Sequence, residues 1–393
     1  MAKKVLKIVA HEWGAASRDR KELGICRELG CEIVGMQKGG TKDKGRHEVL
    51  HGFDVYNYST RPLGDAKILK PLNRIISFFT WAHHARKFHA DIITGHDYLA
   101  LLIGWMSTVF IPKKKKPKLV YDSHEYELGR NKKRSKFALW CVKKIEGFLI
   151  KRCAFTIIEC DEIADKLVEV YGCKRPIVAH NVTVKWQLDT NIIAQRRREI
   201  CEKLNVGTDS FILMSHGAMM PNRGLEQTLD AAEALDLPVV LLGYINDQTF
   251  FTDLMKRAED RGFKEKVLYL PAVPLDILWQ YVGAANLGTI ILQPQYESHR
   301  MTLPNKLFEN IQSLTPVITS NFNGLKAIVE GGGIGLTVDP EKPDELIEAI
   351  KRMRDDKEFY ARCKENLKSA KERYCWENDK QALYDAYKAI IEE

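Results

Sequence analysis

The sequence predicts an α/β protein made of two Rossmann-like, parallel-sheet domains. Short β-branched runs alternate with longer amphipathic stretches along nearly all of its 393 residues, as in parallel sheets covered by helices. That length exceeds the roughly 250 to 300 residues at which a single hydrophobic core stops growing. The strand pattern also halts once, between Asn181 and Val206, where a polar stretch holding Arg196, Arg197 and Arg198 precedes a fresh start. Residues 1–182 and 207–375 are therefore expected to be the two domains, joined by a linker at 183–206 and facing each other across a cleft.

In the first half the runs Val5 to Ala10, Glu32 to Met36, Asp54 to Tyr58, Asp91 to Thr94, Lys118 to Asp122, Phe155 to Glu159 and Pro176 to Ala179 have strand character. Arg18 to Leu29 and Asn73 to Phe88 have helical spacing. The second half offers strands at Phe211 to Ser215, Pro238 to Gly243, Val267 to Leu270, Leu287 to Leu292, Pro316 to Thr319 and Gly335 to Val338. Neither half places G-x-G-x-x-G after its first strand, which argues against a nicotinamide or flavin site of the usual kind.

Composition narrows the class. With 45% hydrophobic and 28% charged residues the chain reads as a globular protein. Met1-Ala2-Lys3-Lys4 leads straight into an apolar run and is expected to be structure rather than a targeting segment. The longest charge-free run, Tyr98 to Pro112, is shorter than the roughly 20 residues a bilayer span needs and is expected to be a buried helix. Nine cysteines, never spaced C-x-x-C, suggest reduced thiols in a cytoplasmic protein.

The net charge of +8 is unevenly shared. Residues 1–182 hold 34 Lys and Arg against 20 Asp and Glu, so the first half carries +14 and the second −6. Much of the excess lies at Lys113 to Lys116 and at Arg130, Lys132, Lys133, Arg134 and Lys136. Such runs are commonly solvated faces; a field of this size also steers anionic surfaces or acceptors to one domain. A transient seat on the inner face of an anionic membrane is one expectation. Nucleic acid is not expected, because the cations lack interleaved aromatics and a recognition motif.

In open parallel sheets ligands bind beyond the carboxyl ends of the strands. Three segments stand there. His11-Glu12-Trp13-Gly14-Ala15-Ala16-Ser17 follows the first strand with small residues that let a ligand approach the backbone. Ser123-His124-Glu125 follows Lys118 to Asp122, offering an imidazole to a hydroxyl or phosphate, or simply a histidine beside a turn. The third is Leu303-Pro304-Asn305-Lys306-Leu307-Phe308-Glu309, where Pro304 sits at an apparent helix start and the next amides face outward as an anion site. Lys306 adds a charge in the first turn, and Glu309, three residues on, is placed to accept bonds from a diol. Gly217 and Asn222-Arg223-Gly224, in an expected loop before another helix, bring a second cation, so Arg223 and Lys306 together would clamp a diphosphate.

These segments resemble the C-terminal domain of GT-B fold glycosyltransferases, in particular the retaining family 4. The resemblance rests on Gly217, Asn222 to Glu226, Leu303 to Glu309, Pro316-Val317-Ile318, Gly333 to Leu336 and Val338-Asp339-Pro340; His96-Asp97 and Tyr121 to Glu125 match more loosely. It implies that Arg223 and Lys306 hold the donor pyrophosphate, that Glu309 binds the ribose hydroxyls, and that the amides around Leu303, Pro304 and Asn305 meet the distal phosphate. His124 would touch the donor sugar, Gly14 and Gly217 would line the site, and the base would lie near Pro271 to Pro274. Residues 376–393, opening with Trp376-Glu377, look like the family's closing helix, which returns to the first domain.

The implied activity is metal-independent transfer of a hexosyl or related group from a nucleotide sugar to a glycan, lipid-linked or other hydroxyl acceptor, as in polysaccharide biosynthesis, with no cofactor. Two departures keep alternatives open. Met301 stands where the family often has a second Glu, and Ala218 where many members carry Arg. A sugar-nucleotide-binding protein without transfer activity, or an epimerase of the same fold, shares the clamp.

Overall fold

The computed structural model describes residues 2–10, 17–40, 43–130 and 134–393. By its internal contacts the chain divides into unit 1, Met1–His180 with Lys380–Glu393, and unit 2, Asn181–Asp379.

Unit 1 opens with β1 (Lys4–Val9), α1 (Ser17–Glu28), β2 (Glu32–Gly39), β3 (Lys44–Leu50) and β4 (Phe53–Ser59). It continues with α2 (Lys70–Lys87), β5 (Ile92–His96), α3 (Asp97–Thr108), β6 (Lys118–Asp122), α4 (Lys136–Ile150), β7 (Phe155–Ile158), α5 (Asp161–Tyr171) and β8 (Ile177–Val178). Its sheet runs β3-β4-β2-β1-β5-β6-β7-β8, parallel except for β3. That strand has no counterpart in the sequence reading. Its pattern Lys44-Gly45-Arg46-His47-Glu48 is too polar to announce a strand, because it lies at an edge where one side has no neighbour to bury it.

Right-handed crossovers fix the faces. From β4 to β5, β6 and β7 the chain steps one way across the sheet, which puts α2, α3 and α4 on one face. The step from β1 to β2 goes the other way and puts α1 on the opposite face. The run Tyr98 to Pro112 forms most of α3, whose Tyr98, Leu101 and Ile103 are buried.

Unit 2 comprises α6 (Thr190–Leu204), β9 (Leu213–Met219), α7 (Leu225–Ala234), β10 (Val239–Ile245), α8 (Gln248–Asp260), β11 (Val267–Pro271), α9 (Leu278–Val282) and β12 (Leu287–Ile290). There follow α10 (Glu297–Met301), α11 (Asn305–Gln312), β13 (Val317–Ser320), α12 (Asn323–Val329), β14 (Gly335–Val338), α13 (Pro343–Asp355), α14 (Lys357–Arg373) and α15 (Trp376–Asp379). The parallel sheet runs β11-β10-β9-β12-β13-β14. One apolar cluster, with Leu229, Phe251 and Ile350, and another, with Ile200, Met214 and Val282, account for its core. Ile200, Cys201 and Leu204 of α6 belong to the second cluster, so the stretch at 183–206 holds packed structure.

The last helix, α16 (Gln381–Glu392), belongs to unit 1 and packs on α1. Its Tyr387 is fully buried, stacks edge-on to Phe155 at 5.1 Å and hydrogen-bonds Glu22.

Candidate functional site

The candidate donor site is built in unit 2, where β9 and β12 lead to α7 and α11. β9 runs two turns of the pleat further than its sequence suggests, so Gly217 lies within the strand, paired with Gly243 of β10. Gly217 has φ 111°, and a Cβ there would meet nothing within 4 Å, so its backbone borders open space. A Cβ on Gly243 would fall 1.8 Å from the Gly217 carbonyl oxygen. Beyond β9, Asn222 and Gly224 both take positive φ, 68° and 75°, and turn the chain sharply into α7 with Arg223 between them. A side chain at Gly224 would overlap Ile291, its Cβ 2.2 Å from that residue's carbonyl oxygen. The Asn222 carbonyl accepts from the Gln293 amide at 3.2 Å, tying this turn to the segment after β12.

From the other side comes α11. Pro304 is its N-cap, in extended conformation and with no side-chain cap, and the first bond back to it is made by Leu307. The amides of Asn305 and Lys306 thus precede the first intrahelical bond, at the positive end of the helix. Leu303 is buried and Asn305 exposed. Lys306 is partly buried, and the field of Arg223 reaches it: burial first, then the guanidinium, lower its ammonium to about 8 against the opposing pull of Glu309. Neither the Arg223 nor the Lys306 side chain has a hydrogen-bond or ion-pair partner among the described residues. Two cations within each other's field, neither held in an ion pair among the described residues, make a site that favours an anion.

Glu309 lies one turn along α11, and its Oε2 meets His216 Nε2 at 2.8 Å. His216 is not among the residues singled out from the sequence. Its signal was its place at a strand end, and its partner is 93 residues away. The contact fixes one carboxylate oxygen and leaves the other free to accept from a ligand. His299 is a further addition: burial and then Arg223 lower its pKa, and its Nδ1 lies 3.4 Å from the Gln293 carbonyl. Met301 ends α10 and is buried, packed where a carboxylate would need partners.

Unit 1 carries a second constellation at the carboxyl ends of β1, β5 and β6. Lys7, fully buried in β1, reaches Asp19 at 3.0 Å, Asp122 at 2.8 Å and Glu22. Arg18, also buried, reaches Asp122 at 2.7 Å and the Ser123 carbonyl at 3.0 Å. These cations hold the Asp122 carboxyl well below its ordinary range, Arg18 first, although burial opposes them. His96 meets Asp19 at 3.0 Å through Nδ1, and its ring lies 3.6 Å from that of His124. His124 Nε2 lies 3.0 Å from Asp122. Burial, with the Arg18 cation close by, pulls His124 down to about 4 despite Asp122, so it is neutral near pH 7. A neutral ring that donates from Nε2 to Asp122 keeps Nδ1 as an acceptor for a hydroxyl.

Ligand atoms of Asp19, His96, Asp122 and His124 lie within 4.8 Å of one another, close enough to hold a metal ion. Lys7 and Arg18 already bring positive charge to the same carboxylates. Gly14 lies outside the described residues. Among those that are described, no helix is long and apolar enough to cross a membrane.

Comparison with known proteins bears on the fold and on unit 2. Residues 196–370, within unit 2, match the family model described as glycosyl transferases group 1. An uncharacterized glycosyltransferase of Methanocaldococcus jannaschii is 23% identical over 220 residues, 55% of this chain and 54% of that protein. The chain spans about half the length of the curated relatives it matches first, 54% and 43%. Sucrose-phosphate synthase from Thermosynechococcus elongatus superposes with a TM-score of 0.78 at 16% identity, over 99% of both chains. HepE of Anabaena, solved with UDP-glucose, gives 0.74 at 16% identity, over 98% of this chain and 99% of that one. The resemblance to GT-B glycosyltransferases holds at the level of the fold, which has two parallel-sheet α/β domains, and residues 196–370 of unit 2 are similar to the group 1 glycosyl transferases.

Proposed function

We propose that the protein is a retaining, metal-independent glycosyltransferase that moves a hexosyl or related group from a nucleoside diphosphate sugar to a hydroxyl on a glycan or lipid-linked acceptor. The observation that carries this reading is the pair Arg223 and Lys306, whose side chains make no ion pair or hydrogen bond among the described residues, near the uncapped tip of α11. A diphosphate restores full charge to Lys306 and accepts from the amides of Asn305 and Lys306. Glu309, held by His216, takes the ribose diol. HepE, a structural neighbour, is solved with UDP and with UDP-glucose, which supports a nucleotide sugar as the ligand.

Cleaving the bond between the anomeric carbon and the phosphate oxygen leaves negative charge on the departing diphosphate. Fixed cations and helix amides stabilise that charge more in the transition state than in the ground state. The acceptor oxygen bonds the anomeric carbon on the same face, and its proton passes to the leaving phosphate, so no protein nucleophile is needed. His124, neutral and oriented by Asp122, hydrogen-bonds a sugar hydroxyl. Lys7 and Arg18 neutralise the carboxylates of unit 1 internally, and chelators are expected to leave turnover unchanged.

A thermal-shift panel of nucleotide sugars, with UDP-glucose among them, tests the reading. A ligand at 100 times its dissociation constant stabilises by about 2.7 kcal/mol. At least one nucleotide sugar is expected to raise the melting temperature, and Lys306→Ala and Arg223→Ala each to abolish that rise and to lower turnover on the order of 100-fold. A panel without any response, or variants that respond as the parent does, would overturn it.

A further inference from the structure

We propose that the outer face of α2, α3 and α4 in unit 1 docks onto an anionic lipid bilayer. The three helices lie side by side on one face of the sheet, α2 against α3 and α3 against α4. Each buries one side and shows apolar residues on the other. On α2 the exposed residues Leu72, Ile75 and Phe79 recur at helical spacing, opposite the buried Trp81. On α4 Phe137 is 72% exposed and Trp140 56%, while Val142, Glu146 and Leu149 face inward. Between them α3 presents the partly exposed Trp105 and ends in the exposed Val109 and Phe110. Trp105 packs edge-on against Phe148 of α4 at 5.1 Å, so the stripes of α3 and α4 are continuous. Scattered exposed apolar residues are ordinary; aligned stripes on adjacent helices mark an interaction surface.

Charge names the partner. Helix α2 contains no Asp or Glu, α3 only Asp97 at its start, and α4 only the buried Glu146. Lys143 and Lys144 lie on α4, Lys151 and Arg152 directly follow it, and Lys113 to Lys116 follow α3; all are exposed. None of these lysines has a carboxylate partner among the described residues. Arg152 lies 3.4 Å over the Phe148 ring and Lys144 5.9 Å over Trp140, so cations and aromatics share one layer. Aromatic and aliphatic side chains that enter the headgroup boundary, rimmed by lysines that meet lipid phosphates, suit an anionic bilayer. The aliphatic Leu72, Ile75 and Val109 favour lipid over nucleic acid, which offers base faces and phosphates but no apolar depth.

The inference rests on unit 1 alone and does not depend on the donor assignment. Vesicle flotation of the full chain tests it, with phosphatidylcholine alone and with added phosphatidylglycerol. The chain is expected to float with the anionic vesicles at low salt and to remain below with the zwitterionic ones. The double variants Phe137→Ser/Trp140→Ser and Lys143→Glu/Lys144→Glu are each expected to cut the floated fraction about tenfold or more, with the UDP-glucose thermal shift unchanged. Flotation indifferent to lipid charge or to these variants overturns the proposal. So does lipid-free self-association, seen by analytical ultracentrifugation, that the same variants abolish. Loss of the thermal shift with flotation intact would count against the transferase reading only.

Discussion

Lys306 and His124 illustrate how burial shifts the titration of single residues. Lys306 sits near 8 because burial and Arg223 both oppose its charge. It is a cation below that pH and neutral above it, so UDP-glucose affinity is expected to hold from pH 6 to 7.5 and to weaken as pH rises through about 8, by at most about tenfold per unit. Isothermal titration across this range checks it, and Lys306→Arg should flatten the profile because a guanidinium stays charged. For His124 the consequence is for folding. Its folded pKa of about 4 lies below the unfolded value of about 6.5, so the unfolded chain takes up the proton first as pH falls. Stability is expected to drop between about pH 6.5 and 4 by about 3 kcal/mol, and His124→Gln to remove that part of the slope in denaturant unfolding.

Elements, more than single side chains, place the two cations of unit 2. Arg223 is presented by a turn that needs left-handed backbone at Asn222 and Gly224, and Lys306 by a helix whose tip is uncapped. Gly224→Ala would strain φ and press a methyl group against Ile291, and is expected to cost about 1–3 kcal/mol in urea unfolding. It should also weaken UDP-glucose binding by displacing Arg223, although it removes no charge. The helix tip was legible in Pro304 and Lys306 because capping and dipole are local. Strand β3 was not, because an edge strand with one free side has no need of an alternating apolar pattern.

At the scale of the whole molecule the chain ends by returning to where it began. Helix α16 belongs to unit 1, and its Tyr387 hydroxyl donates to Glu22, which also accepts from Thr94 at 2.7 Å and pairs with Lys7. Tyr387→Phe keeps the ring against Phe155 but takes one donor from a buried carboxylate. It is expected to lower stability by about 1–3 kcal/mol in chemical unfolding, with UDP-glucose binding retained.

The sequence by itself determined the class of fold and the local features of the Leu303 to Glu309 segment. Strand and helix periods, the halt near Asn181 and the Pro-Asn-Lys helix start are all written in neighbouring residues. Only the tertiary structure decided that Lys7, in an apolar strand, is surrounded by carboxylates, that His216 holds Glu309, and that stripes on three helices lie side by side. Those partners are separated by up to 115 residues, and sheet order rather than local pattern brings them together. A buried charge needs its counter-charge within a few ångströms, and chain position alone does not say which residue will supply it.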